Sequence, residues 1–427
     1  MEYLLFAGYL FLFAWLVTRI GFFKKTGLTN AQLVILFLIK IMAGILYGWI
    51  GIYYGQFAYM YDTWGFHYAG LEETKILYNR PAEYFSNLFY SGYENKFGGF
   101  LDSHNSWWND LKNNMFVKLL SLINIFSFGN YYTNVIFYSF ISLFGPIAFF
   151  RVMNDVYPGK KLITLLAVFL IPSFAYWTSG IHKDGLVFLA ISLIVYHFYF
   201  GLKEKAFSFL RVVIIFISLL IILSFRNYVF VILVPALSAW YLAYVFPKRK
   251  ITVFFSVYSV SVLLFFTLHY ISPSFDLPQA VINKQKAFFQ LQGNSSITPA
   301  VLEPRPFSFL KNLPHALSAT ILRPYPADAK HLLSLAAAIE TIIFLLLFIC
   351  FLIWRKGSPQ SKGFLWFCVF FSFSFLLTIG YTVNFLGAIV RYRSIVIPFL
   401  LGHIICMTDW KRISNLVFNN IKNKSNI

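Results

Sequence analysis

Residues 172–186 read PSFAYWTSGIHKDGL, from Pro172 to Leu186, with long apolar runs on both sides. Between those runs stand Trp177, three small or hydroxyl residues (Thr178, Ser179, Gly180) and the polar trio His182, Lys183 and Asp184. Charge this close to hydrocarbon is costly and is usually kept for a purpose. The pattern predicts a tight outer-face turn between two membrane helices, its trio lining a site. Ser179 suits a helix N-cap. Asp184 in a first helical turn offsets the helix dipole, and capping by itself accounts for it. Lys183 reads either as a snorkelling side chain or as a phosphate contact.

The flanking runs are typical of the whole chain. Its 427 residues are 59% hydrophobic and 12% charged, with 52 Phe and a mean hydropathy of +0.68. A soluble protein of this length could not hide so much apolar surface, and repeated apolar runs near twenty residues indicate membrane spans. The net charge of +19 would point to nucleic acid in a soluble protein. Here the positive-inside rule explains it, and no nucleic-acid partner is expected. Cys350, Cys368 and Cys406 all lie in apolar runs without metal-ligand spacing. The N-terminus lacks the basic region and cleavage site of a signal peptide, so its first apolar run is read as a span.

The expected fold is all-α: a polytopic membrane protein of about eleven transmembrane helices, N-terminus outside and C-terminus inside. Spans are expected near 3–18, 31–53, 131–150, 162–177, 185–200, 212–225, 228–246, 251–271, 331–354, 363–382 and 385–407. Three or more Lys or Arg then fall in every inner segment: Arg19, Lys24 and Lys25 in the first, Lys411, Arg412, Lys422 and Lys424 in the last. Residues 1–427 form a single membrane domain with no separate soluble domain. Two long external loops, near 54–130 and 272–330, each bear an interfacial helix, over 116–128 and 307–322. The first loop holds seven of the chain's sixteen acids, including Glu94, Asp102 and Asp110, with His104.

The outer side gathers residues of mixed charge. Asp62, in MYDTWGFHYAG, could act as a general base on an acceptor hydroxyl, could hold a divalent cation such as Mg or Mn, or could be a solvated loop acid. His67 could assist it. His182, Lys183, Arg226 and Arg323 lie on the same side, as does the Arg391-Tyr392-Arg393 triplet opening the last span. Arg391 and Arg393 run counter to the charge bias, and guanidinium forks suit bidentate phosphate binding. Lys40 and Glu340 are ionisable residues within spans; they could pair across helices, or Glu340 could stand in a cavity as a site residue. Asn294-Ser295-Ser296 matches a glycosylation acceptor pattern, a match frequent by chance. No Gly-rich phosphate loop, GxGxxG, HExxH or GxSxG occurs, which argues against a nucleotide-hydrolysing engine.

Asp62, the PxxxxWxSGxxKD run from Pro172 to Asp184 and the RYRxxxxP run from Arg391 to Pro398 resemble patches of polytopic bacterial glycosyltransferases of the GT-C superfamily. They also resemble the related exopolysaccharide and O-antigen polymerases. The resemblance implies a multi-pass protein of the bacterial inner membrane. It implies transfer of a sugar from a polyprenyl-phosphate-linked donor to a glycan or lipid acceptor on the periplasmic face, in cell-surface polysaccharide synthesis. Asp62 would take the role of base or metal contact, and Lys183 and Arg391 would hold the lipid phosphate. The chain departs from the common pattern in an extra N-terminal span and in a single loop acid where many such enzymes have a pair. A polymerase joining lipid-linked repeat units, or a flippase for lipid-linked glycans, is the alternative. The spans supply few midplane polar residues and no internal repeat, which weighs against transport.

Overall fold

A computed structural model describes residues 1–53, 62–93, 100, 106–291, 293, 295–298 and 300–415. Glu94, Asp102, His104, Asn294, Lys422 and Lys424 lie outside the described residues. Helices α1 (Glu2–Arg19) and α2 (Asn30–Tyr53) open the chain. The first long segment between spans holds α3 (Asp62–Asn79), a short helix Pro81–Ser86 and α4 (Trp107–Ser127). Then come α5 (Tyr131–Val156), α6 (Lys161–Phe169), α7 (Pro172–Ser179), α8 (Lys183–Glu204), α9 (Phe209–Phe225), α10 (Asn227–Val245) and α11 (Lys250–Ile271). The second long segment between spans holds α12 (Leu277–Phe289) and α13 (Pro306–Leu317). The chain continues through α14 (Leu332–Ile353), α15 (Lys362–Thr382), α16 (Leu386–Ser394) and α17 (Ile397–Met407). The described residues contain no strand, only two isolated bridges.

Eight of these helices are long and apolar enough to cross a membrane, and two bent pairs bring the number to ten if each counts as one span. The chain is therefore a multi-pass membrane protein. The 17-residue α9 is apolar but shorter. Burial locates the centre: 72% of the apolar window of α5 and 67% of that of α8 are covered by protein, against 6% for the segment carrying α11. Since α11 is strongly apolar, its uncovered surface is the one that faces lipid.

Two expected spans are broken. α6 and α7 meet at 55°, and α16 and α17 at 65°. Pro172 explains the first break, because a proline suits the first turn of a new helix but not the interior of an old one. Pro398 sits likewise in the first turn of α17. The two pairs pack on each other, α6 against α17 and α7 against α16. Most of the run read as a turn is thus helical, and the turn shrinks to Gly180–His182.

Lys40 and Glu340 do not pair. Glu340 accepts the backbone N–H of Ser173 at 2.7 Å, at the start of α7. Lys40 donates to the Thr178 carbonyl at 2.9 Å and lies 3.3 Å from Ser179 Oγ, at its end. An acid at the N-terminus and a cation at the C-terminus complement the helix dipole and satisfy backbone groups that an eight-residue helix leaves open. The close fit of α2 on α7 requires glycine. A Cβ on Gly44 would come within 2.6 Å of the Ser179 carbonyl, and one on Gly180 would clash with the Tyr47 ring.

The segment expected at the interface over 116–128 is part of the longer α4, which starts at the Ser106 N-cap. It packs on α3, α5 and α9. Lys118, buried on α4, donates to Glu73 at 2.5 Å, to the Tyr84 carbonyl at 2.7 Å and to Asn87 at 2.6 Å, which ties the first long segment together. In the second, α13 covers Pro306–Leu317 and a π-turn continues to Leu322.

Candidate functional site

The site forms where the Gly180–His182 turn meets the first turn of α3, the junction of α9 and α10, and the end of α16. His182 caps α8 in an extended conformation (φ −154°), with its Nδ1 3.4 Å from the Asp184 amide. That capping aims the Asp184 carboxylate inward, where it is fully buried. Its Oδ1 accepts from Arg226 Nη2 at 2.6 Å and its Oδ2 from Arg391 Nε at 2.8 Å. His182 Nδ1 lies 3.1 Å from Oδ2. A buried carboxylate persists only with such charge-assisted partners.

Arg391 is the bridge. Besides Asp184, it donates through Nη1 to Asp62 Oδ2 at 2.8 Å and sets Nη2 against the His182 ring. Each of its three nitrogens thus has a partner within the protein. Asp62, the first residue of α3, remains 56% exposed at its side chain and lies 3.8 Å from His182 Nε2. Burial acts to raise the Asp62 pKa, but the charges of Arg391 and His182 outweigh it and hold the carboxyl below its usual range. His182 is pushed down to about 4 by burial, with Arg391 adding to the effect, so its ring is neutral near pH 7. Aromatic rings close the sides: Arg391 stands 5.5 Å from the Trp177 ring centre, and Arg226 4.5 Å from that of Tyr392.

With His182 neutral, two carboxylates and two guanidiniums balance. Three lysines are left over. Lys183 is buried, and its Nζ meets the Asn113 side-chain oxygen at 2.5 Å above the Phe66 ring. Lys112 donates to Asn109 at 2.5 Å. Burial, then the charges of Arg226 and Lys284, pull Lys112 down to about 8. Lys284 on α12 is likewise lowered by burial and by Arg226. None of the three has a carboxylate partner among the described residues. Arg226 Nε is buried with no acceptor among the described residues. This corner of the site is built for an anion that the protein does not itself supply.

Several expected site residues lie elsewhere. His67 is five residues along α3 from Asp62, about 140° around the helix. It is buried against Trp64 and Tyr131, with Nδ1 3.3 Å from Asn134 Nδ2, and it makes no contact with Asp62. Arg393 is about 200° from Arg391 on α16. Fully buried, it donates to the carbonyls of Thr320 (2.9 Å) and Arg323 (2.5 Å) and to Thr341 Oγ1 (2.7 Å), bracing the second long segment. Arg323 pairs within its own loop, 3.9 Å from Asp328. Glu340 anchors α7 as described. Asp184, set aside because capping accounted for it, is the hub. Its signal was present in Arg226 and Arg391, two arginines beside apolar runs that needed a counter-charge. Nothing in the sequence marks Lys112 or Lys284.

A divalent cation finds no ready donor set. The described residues hold no group of three His, Cys, Asp or Glu side chains that could ligate one. Comparison of the chain with protein-family models, curated proteins and solved structures finds no match in any of the three.

Proposed function

We propose that the chain is a membrane glycosyltransferase that moves a sugar from a polyprenyl-phosphate-linked donor to an acceptor hydroxyl on the outer face of a bacterial inner membrane. The observation that carries this reading is the pairing of one half-exposed carboxylate, Asp62, with a neighbouring corner of three uncompensated lysines. Transfer from a phosphate-linked donor needs a base or orienting group for the acceptor and cations for the phosphate that leaves. Asp62 takes the first role, held in place by Arg391. Lys183, Lys112 and Lys284, with the free Nε of Arg226, take the second. The donor reaches them from the bilayer it already occupies.

The topology belongs to the same proposal. If α9 crosses as an eleventh span, the N-terminus lies outside, the C-terminus inside, and the site on the outer face. The alternation of basic segments supports that arrangement.

One observation favours a second reading. Two broken helices that pack together near a charged site also build transporters. A flippase for a lipid-linked glycan would use the lysines but would have no need of Asp62. Substitution in a cell that makes the glycan separates the two. Asp62→Ala and Lys183→Ala should each abolish the product at normal protein level. Full glycan synthesis in both variants would sink the transferase, and loss in Lys183→Ala alone would favour transport.

A further inference from the structure

A cavity of about 230 Å³ lies at the opposite, basic end of the bundle, among the ends of α8, α10, α11 and α15. Tyr199, Trp240 and Tyr244 form its aromatic walls, and Lys203, Lys250 and Gly363 stand around it. Its charges do not cancel. Asp155 takes Lys203 at 2.6 and 2.7 Å and the Tyr199 hydroxyl at 2.7 Å, so that carboxylate is fully used. Lys250 has no ion pair or hydrogen bond among the described residues.

Unmet donors converge on the same space. The 21-residue α15 begins here, with Ser361 as its N-cap accepting from Phe364. Gly363, in its first turn, is buried, and its amide has no acceptor among the described residues. It is one of the first-turn N–H groups that a helix start leaves open for an outside acceptor. Trp240 is only 3% exposed as a whole, but its indole N–H is not itself buried and has no acceptor among the described residues. Its Nε1 stands 3.5 Å from where a Cβ on Gly363 would lie, beside the first turn of α15. One free ammonium, a helix N-terminus and an indole N–H around one cavity are the groups that bind a phosphate.

We propose that this cavity binds a phosphate group, carried by the headgroup of an anionic phospholipid at the basic face. Its place among helix ends that carry Lys203, Lys250 and Lys362 puts it at headgroup depth. The aromatic walls match the amphipathic rings found at that level. This site is distinct from the one around Asp184, and it stands whether or not the transferase reading does.

Native mass spectrometry of the detergent-purified chain, titrated with phosphatidylglycerol, tests the site. The wild type should retain one lipid more tightly than the rest. Lys250→Gln should weaken that binding about tenfold, and Trp240→Phe, which keeps the ring and loses the N–H, less steeply. Lys411→Gln, a surface change at the same end, should leave it unchanged. Millimolar inorganic phosphate distinguishes the source. If it competes in a Lys250-dependent way, the site takes the free anion; if it does not, the site takes the headgroup. Equal binding by wild type, Lys250→Gln and Trp240→Phe, or no tightly held lipid and no bound phosphate in the wild type, would overturn the proposal.

Discussion

Asp184 decides how the site responds to substitution. Asp184→Asn leaves two guanidiniums buried without their counter-charge, which costs about 3–5 kcal/mol. Asp62→Asn removes a half-exposed partner of the same arginine and costs under about 1 kcal/mol, because water screens it. Chemical denaturation in detergent should show this asymmetry; equal losses would contradict the assignment of Asp184 as hub. His182 gives a pH signature. Its pKa is lowered on folding to about 4, so the unfolded chain binds its proton first. Its stabilisation is complete above about pH 6.5, is lost as pH falls through the interval to 4, and changes no further below that. Buried His67 adds a contribution of the same sign. The melting temperature should therefore fall between pH 6.5 and 4.5, and His182→Asn should flatten only part of that slope. An unchanged slope would contradict a buried neutral ring. The sequence made His182 and Arg391 legible, because charge beside apolar runs stands out. It did not make Asp184 legible, because helix capping gives any first-turn acid a sufficient local reason.

At the scale of elements, α7 is a short helix held at both ends from different partners. Lys40→Met frees the Thr178 carbonyl and Glu340→Gln weakens the cap on Ser173; each should cost about 1–3 kcal/mol. Because the two residues bind opposite ends of α7, their effects should add to within about 0.5 kcal/mol. A coupling energy well above 1 kcal/mol in the double variant would mean that they interact directly. Amide hydrogen exchange over 180–184 should quicken in Lys40→Met, since that turn follows the uncapped end. Hydropathy located the unbroken spans well, because length and apolarity are local properties. The breaks in the two bent pairs depend on what packs beside them, and no window of sequence reports that. The same limit placed Arg391 and Arg393 together, although two residues along a helix face nearly opposite ways.

Across the whole molecule, charge is segregated: basic helix ends at one side, a mixed site at the other. Single cysteines at Lys205 and at Asn79 should be labelled by an impermeant thiol reagent from opposite sides of the membrane, with Asn79 on the outside. Labelling from one side would refute the eleven-span arrangement. The lysine surplus beside Asp184 has its meaning only at this scale, since Lys112, Lys183 and Lys284 come from three distant segments. The most direct measurement is release of polyprenyl phosphate by the purified chain in proteoliposomes loaded with lipid-linked sugars and acceptor from the host. The wild type should release it, Asp62→Ala should not, and Lys183→Ala should release at most a few per cent. No release by the wild type, with lipid-linked glycan crossing the bilayer equally in wild type and Asp62→Ala, would contradict glycosyl transfer and leave transport in its place.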